Sequence, residues 1–185
     1  MANKLYSIFI GLDMIIYRRA MASELNDLKS FLFEHGTNPW NHLPIDGVDK
    51  EFALVTNGAA EIIVAVENAR FVGFAIFYHP DSLPSQYLQY AQSKPTIYIA
   101  EAVVHKDCTG QGIGYHLLCS IIDQAADFNA SLLLIDRHEE NMASAGMMRK
   151  AGFELVTVYN DPKRRHYGSG NTAILCLQLN SDDKV

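Results

Sequence analysis

The segment 96–128 constrains the fold of this chain more than any other. It contains three glycines at alternate positions, Gly110, Gly112 and Gly114. The pattern predicts an apolar strand over 96–105 before them and an amphipathic helix directly after them. Glycine allows positive φ and close approach of the backbone, and the first N–H groups of a helix have no internal partners. A strand, a glycine loop and a helix start, in this order, can hold a phosphate group through backbone N–H groups and the helix dipole.

The glycine loop alone does not identify a ligand. It differs from the phosphate loop of NTPases because no Gly-Lys-Ser/Thr follows its last glycine. It also differs from the dinucleotide-binding pattern G-x-G-x-x-G, since Leu117 occupies the position of the third glycine counted from Gly112. Phosphate binding and a simple strand-to-helix connection therefore both remain open at this point.

Length and composition predict one globular domain over residues 1–185. The hydrophobic fraction of 49% and the charged fraction of 19% are ordinary for such a domain. A formal net charge of −6 argues against unspecific nucleic-acid binding and suits a small or cationic partner. The apolar run over 5–12 is too short to span a bilayer and is interpreted as an extra strand.

Cysteine usage predicts a reduced, cytoplasmic protein without a metal centre. The three cysteines, Cys108, Cys119 and Cys176, are far apart and show no metal-ligand spacing. Cys108 lies beside the glycine loop, where it is interpreted as a small apolar residue, with a nucleophile as the alternative.

Hydrophobic periodicity predicts an α/β chain of α+β type, with a central mixed sheet of six to seven strands flanked by helices. The predicted strands cover 14–18, 61–67, 71–79, 96–105, 131–136, 153–159 and 173–179, and the predicted helices cover 23–34, 46–55, 113–128 and 141–150. The basic run 163–166 falls in a polar loop. It is interpreted as a solvated loop tip, with anion binding as the alternative.

Two motifs at matching separation resemble those of the GNAT superfamily of acetyl-CoA-dependent N-acetyltransferases. The family pattern Val-x-Pro-x-x-Arg/Gln-Gly-x-Gly-x-Gly/Ala corresponds to 104–114, and the later pattern of Asn, usually Tyr and then Gly-Phe corresponds to Asn141, Met148 and 152–153. The resemblance covers about 14–179 and implies the GNAT fold.

Three positions depart from the family pattern. Thr109 replaces the usual Arg or Gln, which removes a side-chain contribution to the pyrophosphate site. Lys106 replaces the common Pro, which removes some stiffness from the loop. Met148 replaces the Tyr that often protonates the leaving thiolate, so the general acid is unidentified.

The resemblance implies direct attack of a substrate amine on the thioester of acetyl-CoA, in a ternary complex and without a metal. Glu101 is the candidate base because it is a carboxylate on an otherwise apolar strand, and a structural salt bridge is the alternative. A backbone N–H near Val104 is implied to receive the charge that develops on the thioester oxygen. The implied acetyl-CoA-binding residues are Val103, Val104, His105, Thr109, Gly110, Gln111, Gly112, Ile113, Gly114, Tyr115 and Asn141.

The sequence does not identify the acceptor amine. A small molecule, a peptide N-terminus and a lysine side chain all remain open, and the segments 37–57, 80–95 and 160–171 are expected to build the acceptor pocket. The expected partners include no nucleic acid and no membrane, and a homodimer is left open. A GNAT-fold regulatory module that binds acyl-CoA with little turnover is the alternative function, and a nucleotide-binding α/β domain is a third.

Overall fold

The computed structural model describes residues 6–10 and 13–179, which form one eight-stranded mixed sheet with helices on both faces. All neighbouring strands are antiparallel except β5 and β6, and the spatial order is β1-β2-β3-β4-β5-β6-β8-β7. The predicted fold class is therefore confirmed. The strands are β1 (Tyr6–Ile10), β2 (Asp13–Arg19), β3 (Ala60–Glu67), β4 (Arg70–Tyr78), β5 (Thr96–Val104), β6 (Leu132–His138), β7 (Glu154–Asn160) and β8 (Asn171–Gln178).

The N-terminal strand explains why the sheet has eight strands, where the sequence indicated six to seven. The apolar run predicted as an extra strand forms β1, which pairs antiparallel with β2 from Tyr6↔Tyr17 to Ile10↔Asp13. Residues 5, 11 and 12 of that predicted segment lie outside the described residues. The fold class is unchanged because β1 only extends one edge of the sheet.

The helices cover the two faces of the sheet with separate apolar cores. Ile113, Leu117 and Ile121 of the helix after the glycine loop pack on one face, and Leu28 and Val48 pack on the other. Among the described residues, no helix combines the length and the apolar character needed to cross a membrane. The helices are α1 (Leu25–Phe31), which continues as a π-turn over Leu32–Gly36, α2 (Ile45–Thr56), α3 (Leu88–Ala91), α4 (Ile113–Gln124) and α5 (Met142–Lys150).

The parallel strands β5 and β6 separate halfway along their length. Their pairing runs from Thr96↔Leu132 to Ile99↔Ile135 and stops there, while β5 continues to Val104 paired only with β4. A β-bulge in the β4–β5 pairing lies at the same level, between the pairs Ile76↔Glu101 and Phe77↔Ile99. The halves of β5 and β6 that do not pair with each other therefore leave a cleft between the two strands, in the middle of the sheet.

Candidate active site

The glycine loop forms a cradle of backbone N–H groups at the start of α4. Gly110 and Gly112 have φ values of +81° and +80°, which glycine adopts without strain. The first helical hydrogen bond joins the His116 N–H to the Gly112 carbonyl at 3.1 Å, so the N–H groups of 113–115 have no partner within the helix. This arrangement fits an anionic group such as a pyrophosphate.

The third glycine has a different purpose from the first two. A Cβ atom on Gly114 would lie 2.5 Å from Sδ of Met147 and 3.6 Å from Cγ2 of Val104. Glycine here allows α4 to pack closely against α5 and the end of β5, which narrows the loop around the cleft.

The cleft between β5 and β6 has a volume of about 990 Å³, and its walls include the glycine loop, the end of β5 and α5. Two predicted cofactor residues, His105 and Gln111, do not line it. The His105 ring lies against the ring of His35, with centroids 4.0 Å apart. Nine predicted cofactor residues do line it, namely Val103, Val104, Thr109, Gly110, Gly112, Ile113, Gly114, Tyr115 and Asn141.

Met148, at the position where the resembled family often has Tyr, is 3% exposed, packs in the core and contributes to the lining of the cleft. Two tyrosines that could donate a proton in its place, Tyr159 on β7 and Tyr167 in the loop after it, do not line the cleft. The Tyr159 hydroxyl donates to Asp161 at 3.5 Å, and Tyr167 is 62% exposed. Burial raises the pKa of the Cys108 thiol, which disfavours the nucleophilic thiolate.

Glu101 lies in the cleft wall, just after the β-bulge of β5. Its Oε2 accepts a hydrogen bond from Nδ2 of Asn41 at 3.3 Å. Burial raises its pKa from the ordinary value of 4.5 to about 7, with a further rise from the charge of Asp136, while Asn41 and two arginines oppose the shift. A carboxyl with a pKa near neutrality can both accept and release a proton.

Asp136 and two arginines form a buried ion cluster that the sequence did not indicate. Arg164 contacts both Asp136 oxygens at 3.1 Å, and Arg165 binds the same carboxylate. Arg165 is 8% exposed and also donates to Thr172 Oγ1 at 2.9 Å. The interpretation of 163–166 as a solvated loop tip is therefore wrong for these two arginines, because a buried carboxylate on β6 holds them.

Neighbouring side chains donate hydrogen bonds to both carboxylate oxygens of Asp136. Its Oδ2 also accepts a hydrogen bond from the Tyr87 hydroxyl and one from Tyr98 at 2.9 Å. Although burial acts in the opposite direction, the two arginines and these hydroxyls lower the pKa of Asp136, so it is held as the carboxylate. Only folding brings these groups together, and no local pattern marks them.

Glu51 is a second acidic residue that the sequence analysis missed. It lies on α2 between Val48 and Phe52, which are both buried against the sheet. Burial raises its pKa to about 8, and the charge of Glu101 contributes to this rise. The sequence signal that could have identified Glu51 is an acidic residue within the apolar face of a helix.

A second cavity of about 400 Å³ adjoins the cleft and shares Trp40, Asn41, Arg164 and Arg165 with it. Segments 37–43 and 164–167 line this cavity. These two segments belong to the regions from which the sequence analysis expected an acceptor pocket. Among residues 6–10 and 13–179, no group of three or more His, Cys, Asp or Glu side chains is placed to hold a metal ion.

The sequence model of the Acetyltransferase (GNAT) family matches residues 24–153 of the chain, and the sequence matches no curated protein. The Salmonella typhimurium protein yncA, solved with its cofactor acetyl-CoA, is 20% identical, with a TM-score of 0.70 over 90% of this chain and 95% of its own. An N-acetyltransferase from Staphylococcus aureus Mu50 is 22% identical, with a TM-score of 0.69 over 90% and 99%. A polyamine N-acetyltransferase from Drosophila melanogaster is 15% identical, with a TM-score of 0.68 over 89% and 100%.

Proposed function

The chain belongs to the acetyltransferase (GNAT) family, and from that premise we propose that it transfers an acetyl group from acetyl-CoA to a primary amine by direct attack. The observation that carries this proposal is the cleft between β5 and β6, which joins an anion-binding helix start to a buried carboxyl with a pKa near 7. Anion binding and proton removal are the two tasks that such a transfer requires of the protein.

The glycine loop supplies the proposed site for acetyl-CoA. The free N–H groups of 113–115 would bind the pyrophosphate, and the unpaired edge of Val103 and Val104 would contact the pantetheine arm. Acetyl-CoA, when bound, supplies the acetyl thioester. A backbone N–H near Val104 would stabilise the negative charge that develops on the thioester oxygen.

Glu101 is the proposed base. An alkyl amine has a pKa of about 10, so it arrives at neutral pH as an ammonium and must lose a proton before it can attack. Met148 cannot protonate the leaving thiolate, but a thiol pKa of about 8.5 makes that thiolate a workable leaving group without full protonation. The mechanism therefore depends on Glu101 more than on a general acid.

The acceptor is proposed to enter through the second cavity. A structural neighbour, the Drosophila melanogaster polyamine N-acetyltransferase, catalyses the formation of N-acetylagmatine, which supports an amine acceptor. We extend the proposal to a cytoplasmic enzyme of one catalytic unit over 1–185, independent of metals, nucleic acid and membranes.

The test is acetyl-CoA turnover by the purified protein against a panel of agmatine, spermidine, free amino acids and lysine-containing peptides, with and without EDTA. We expect CoA release with at least one amine, unaffected by EDTA. Tight acetyl-CoA binding without turnover on any amine would favour the alternative, a regulatory module. Binding of NAD or ATP in preference to CoA would contradict both functions.

A further inference from the structure

The second cavity has basic and neutral groups in its wall but no carboxylate. It is lined by segments 37–43 and 164–167, which contribute two arginines and two histidines. None of the described residues in this lining is Asp or Glu. A volume of about 400 Å³ is within the range of sites for small molecules. An ammonium group in this cavity would therefore meet two guanidinium groups and no opposite charge.

Asn41 and the two arginines connect this cavity to the carboxyl that is proposed as the base. Asn41 lines both cavities and donates a hydrogen bond to Oε2 of Glu101 at 3.3 Å. Arg164 and Arg165 also line both cavities. An acceptor whose amine lies at Glu101 and whose chain extends past Asn41 therefore brings its far end close to the arginines.

Both arginines keep N–H donors for a further anion. The Arg164 side chain is 39% exposed, and its hydrogen bonds within the described residues all use Nη1 and Nη2, which leaves the Nε donor available. Nη1 of Arg165 donates one hydrogen bond, to the Trp40 carbonyl at 3.3 Å, and so has a second N–H. Guanidinium donors match the geometry of carboxylate and phosphate oxygens.

The carboxylates near this cavity have partners already and lie outside its wall. Asp136 accepts hydrogen bonds from both arginines, and Asp161 lies 3.7 Å from Nη1 of Arg164. Glu140 accepts a hydrogen bond from the Ser169 N–H at 3.0 Å. A second ammonium on the acceptor would have to compete with these partners for a carboxylate, whereas an anionic group could bind the donors that the arginines have left.

We propose that the acceptor is a small amine that carries an anionic group, a carboxylate or a phosphate, at the end away from the reacting nitrogen. This inference rests on the proposed function. The amine would lie at Glu101, and the anionic group would accept hydrogen bonds from Arg164 and Arg165 in the second cavity. Polyamines would be poor acceptors, because their second ammonium would lie beside cations.

The test compares kcat/KM for three acceptors with the same number of carbons: γ-aminobutyrate, putrescine and the corresponding amino alcohol. We expect γ-aminobutyrate to exceed the amino alcohol by about tenfold or more and putrescine to rank last. O-phosphoethanolamine against ethanolamine tests a phosphate in the same way, and the larger of the two ratios identifies the preferred anion. If neither anionic compound exceeds its neutral counterpart, the inference is wrong, while turnover of any of these amines would still support acetyl transfer.

His166→Glu tests the second cavity directly because it adds a carboxylate to the wall. His166 is exposed, and its ring lies edge-on to that of His42 with centroids 4.6 Å apart. We expect the ratio of kcat/KM for γ-aminobutyrate over putrescine to fall by about tenfold or more. His166→Gln adds no charge and should keep the wild-type ratio. Lys163→Gln makes the same change in net charge, with histidine neutral, at an exposed residue that lines neither cavity, and should also keep it.

An unchanged ratio in His166→Glu would contradict the role of the second cavity. If the protein acetylates no amine, calorimetry of the same compounds with CoA-saturated protein replaces the kinetics. Tighter binding of an anionic compound than of its neutral counterpart would then support the anionic site and disprove the proposed function. Equal binding, or no detectable binding of either anionic compound, would overturn both.

Discussion

The two sides of the cleft are built in opposite ways. The proposed cofactor side is a continuous stretch of chain, 103–115, and its proposed binding groups are the backbone N–H groups at the start of α4. The proposed acceptor side takes its polar side chains from β5, β6 and the loop after β7, including Glu101, Asp136 and Arg164. Binding by backbone groups would tolerate a side-chain change such as Thr109, whereas a side-chain network depends on each of its members.

The largest effect is expected where the network is most buried, at Asp136. Asp136→Asn keeps the shape but leaves Arg164 and Arg165 without their carboxylate, so the free energy of unfolding should fall by about 3–5 kcal/mol. Urea denaturation measures this change. The exposed pair Asp46–Lys50 is the control, since Asp46→Asn should cost less than about 1 kcal/mol. Equal free energies of unfolding for the two variants would show that the stability of the acceptor side does not depend on this ion cluster.

Glu101→Gln distinguishes proton removal on the acceptor side from CoA binding on the cofactor side. It removes the base and keeps the shape, so kcat should fall by about 10²-fold while CoA affinity stays nearly unchanged. Steady-state kinetics with an active amine and calorimetry with CoA provide the two readouts. Full activity with the wild-type pH profile would make Glu101 a structural residue and would leave proton removal to water or to the 160–171 loop.

Gly112→Val tests the cofactor side alone. The substitution forces a β-branched residue into a position with φ of +80° and disturbs the N–H groups that follow it. CoA binding should weaken by about 1–3 kcal/mol, as for the loss of charge-assisted hydrogen bonds. Calorimetry that finds wild-type affinity for CoA would disprove the assignment of the glycine loop.

The last effect concerns pH and two glutamates of raised pKa. Glu51 and Glu101 have pKa values raised to about 8 and about 7, so their protonated forms favour the folded state. That contribution is complete below the ordinary pKa of 4.5 and is lost as pH rises through about 7 to 8. Chemical denaturation between about pH 5 and pH 9 should show stability falling as pH rises, and Glu51→Gln should flatten the curve. A curve that is equally steep in the variant would contradict the raised pKa of Glu51.

The sequence predicted those features of the fold that depend on residues close together along the chain. Hydrophobic periodicity indicated the strands and helices within a few residues, and the extra N-terminal strand was also foreseen as β1. The alternate glycines at 110, 112 and 114 predicted the loop and the helix start, because positive φ and unpaired helical N–H groups are properties of a short segment. Glu101 was selected as a carboxylate on an otherwise apolar strand, and it lies in the wall of the cleft.

Only the tertiary structure determined which charged side chains lie close together. Arg164 and Arg165 belong to a polar, basic run that is typical of solvated loops, and only the approach of Asp136 on β6 pairs both of them with a carboxylate and leaves Arg165 buried. Glu51 is buried because α2 packs its apolar face, with Val48 and Phe52, onto the sheet. Electrostatic energies depend on distance and burial in three dimensions, and neither is encoded in the local pattern from which secondary structure is predicted.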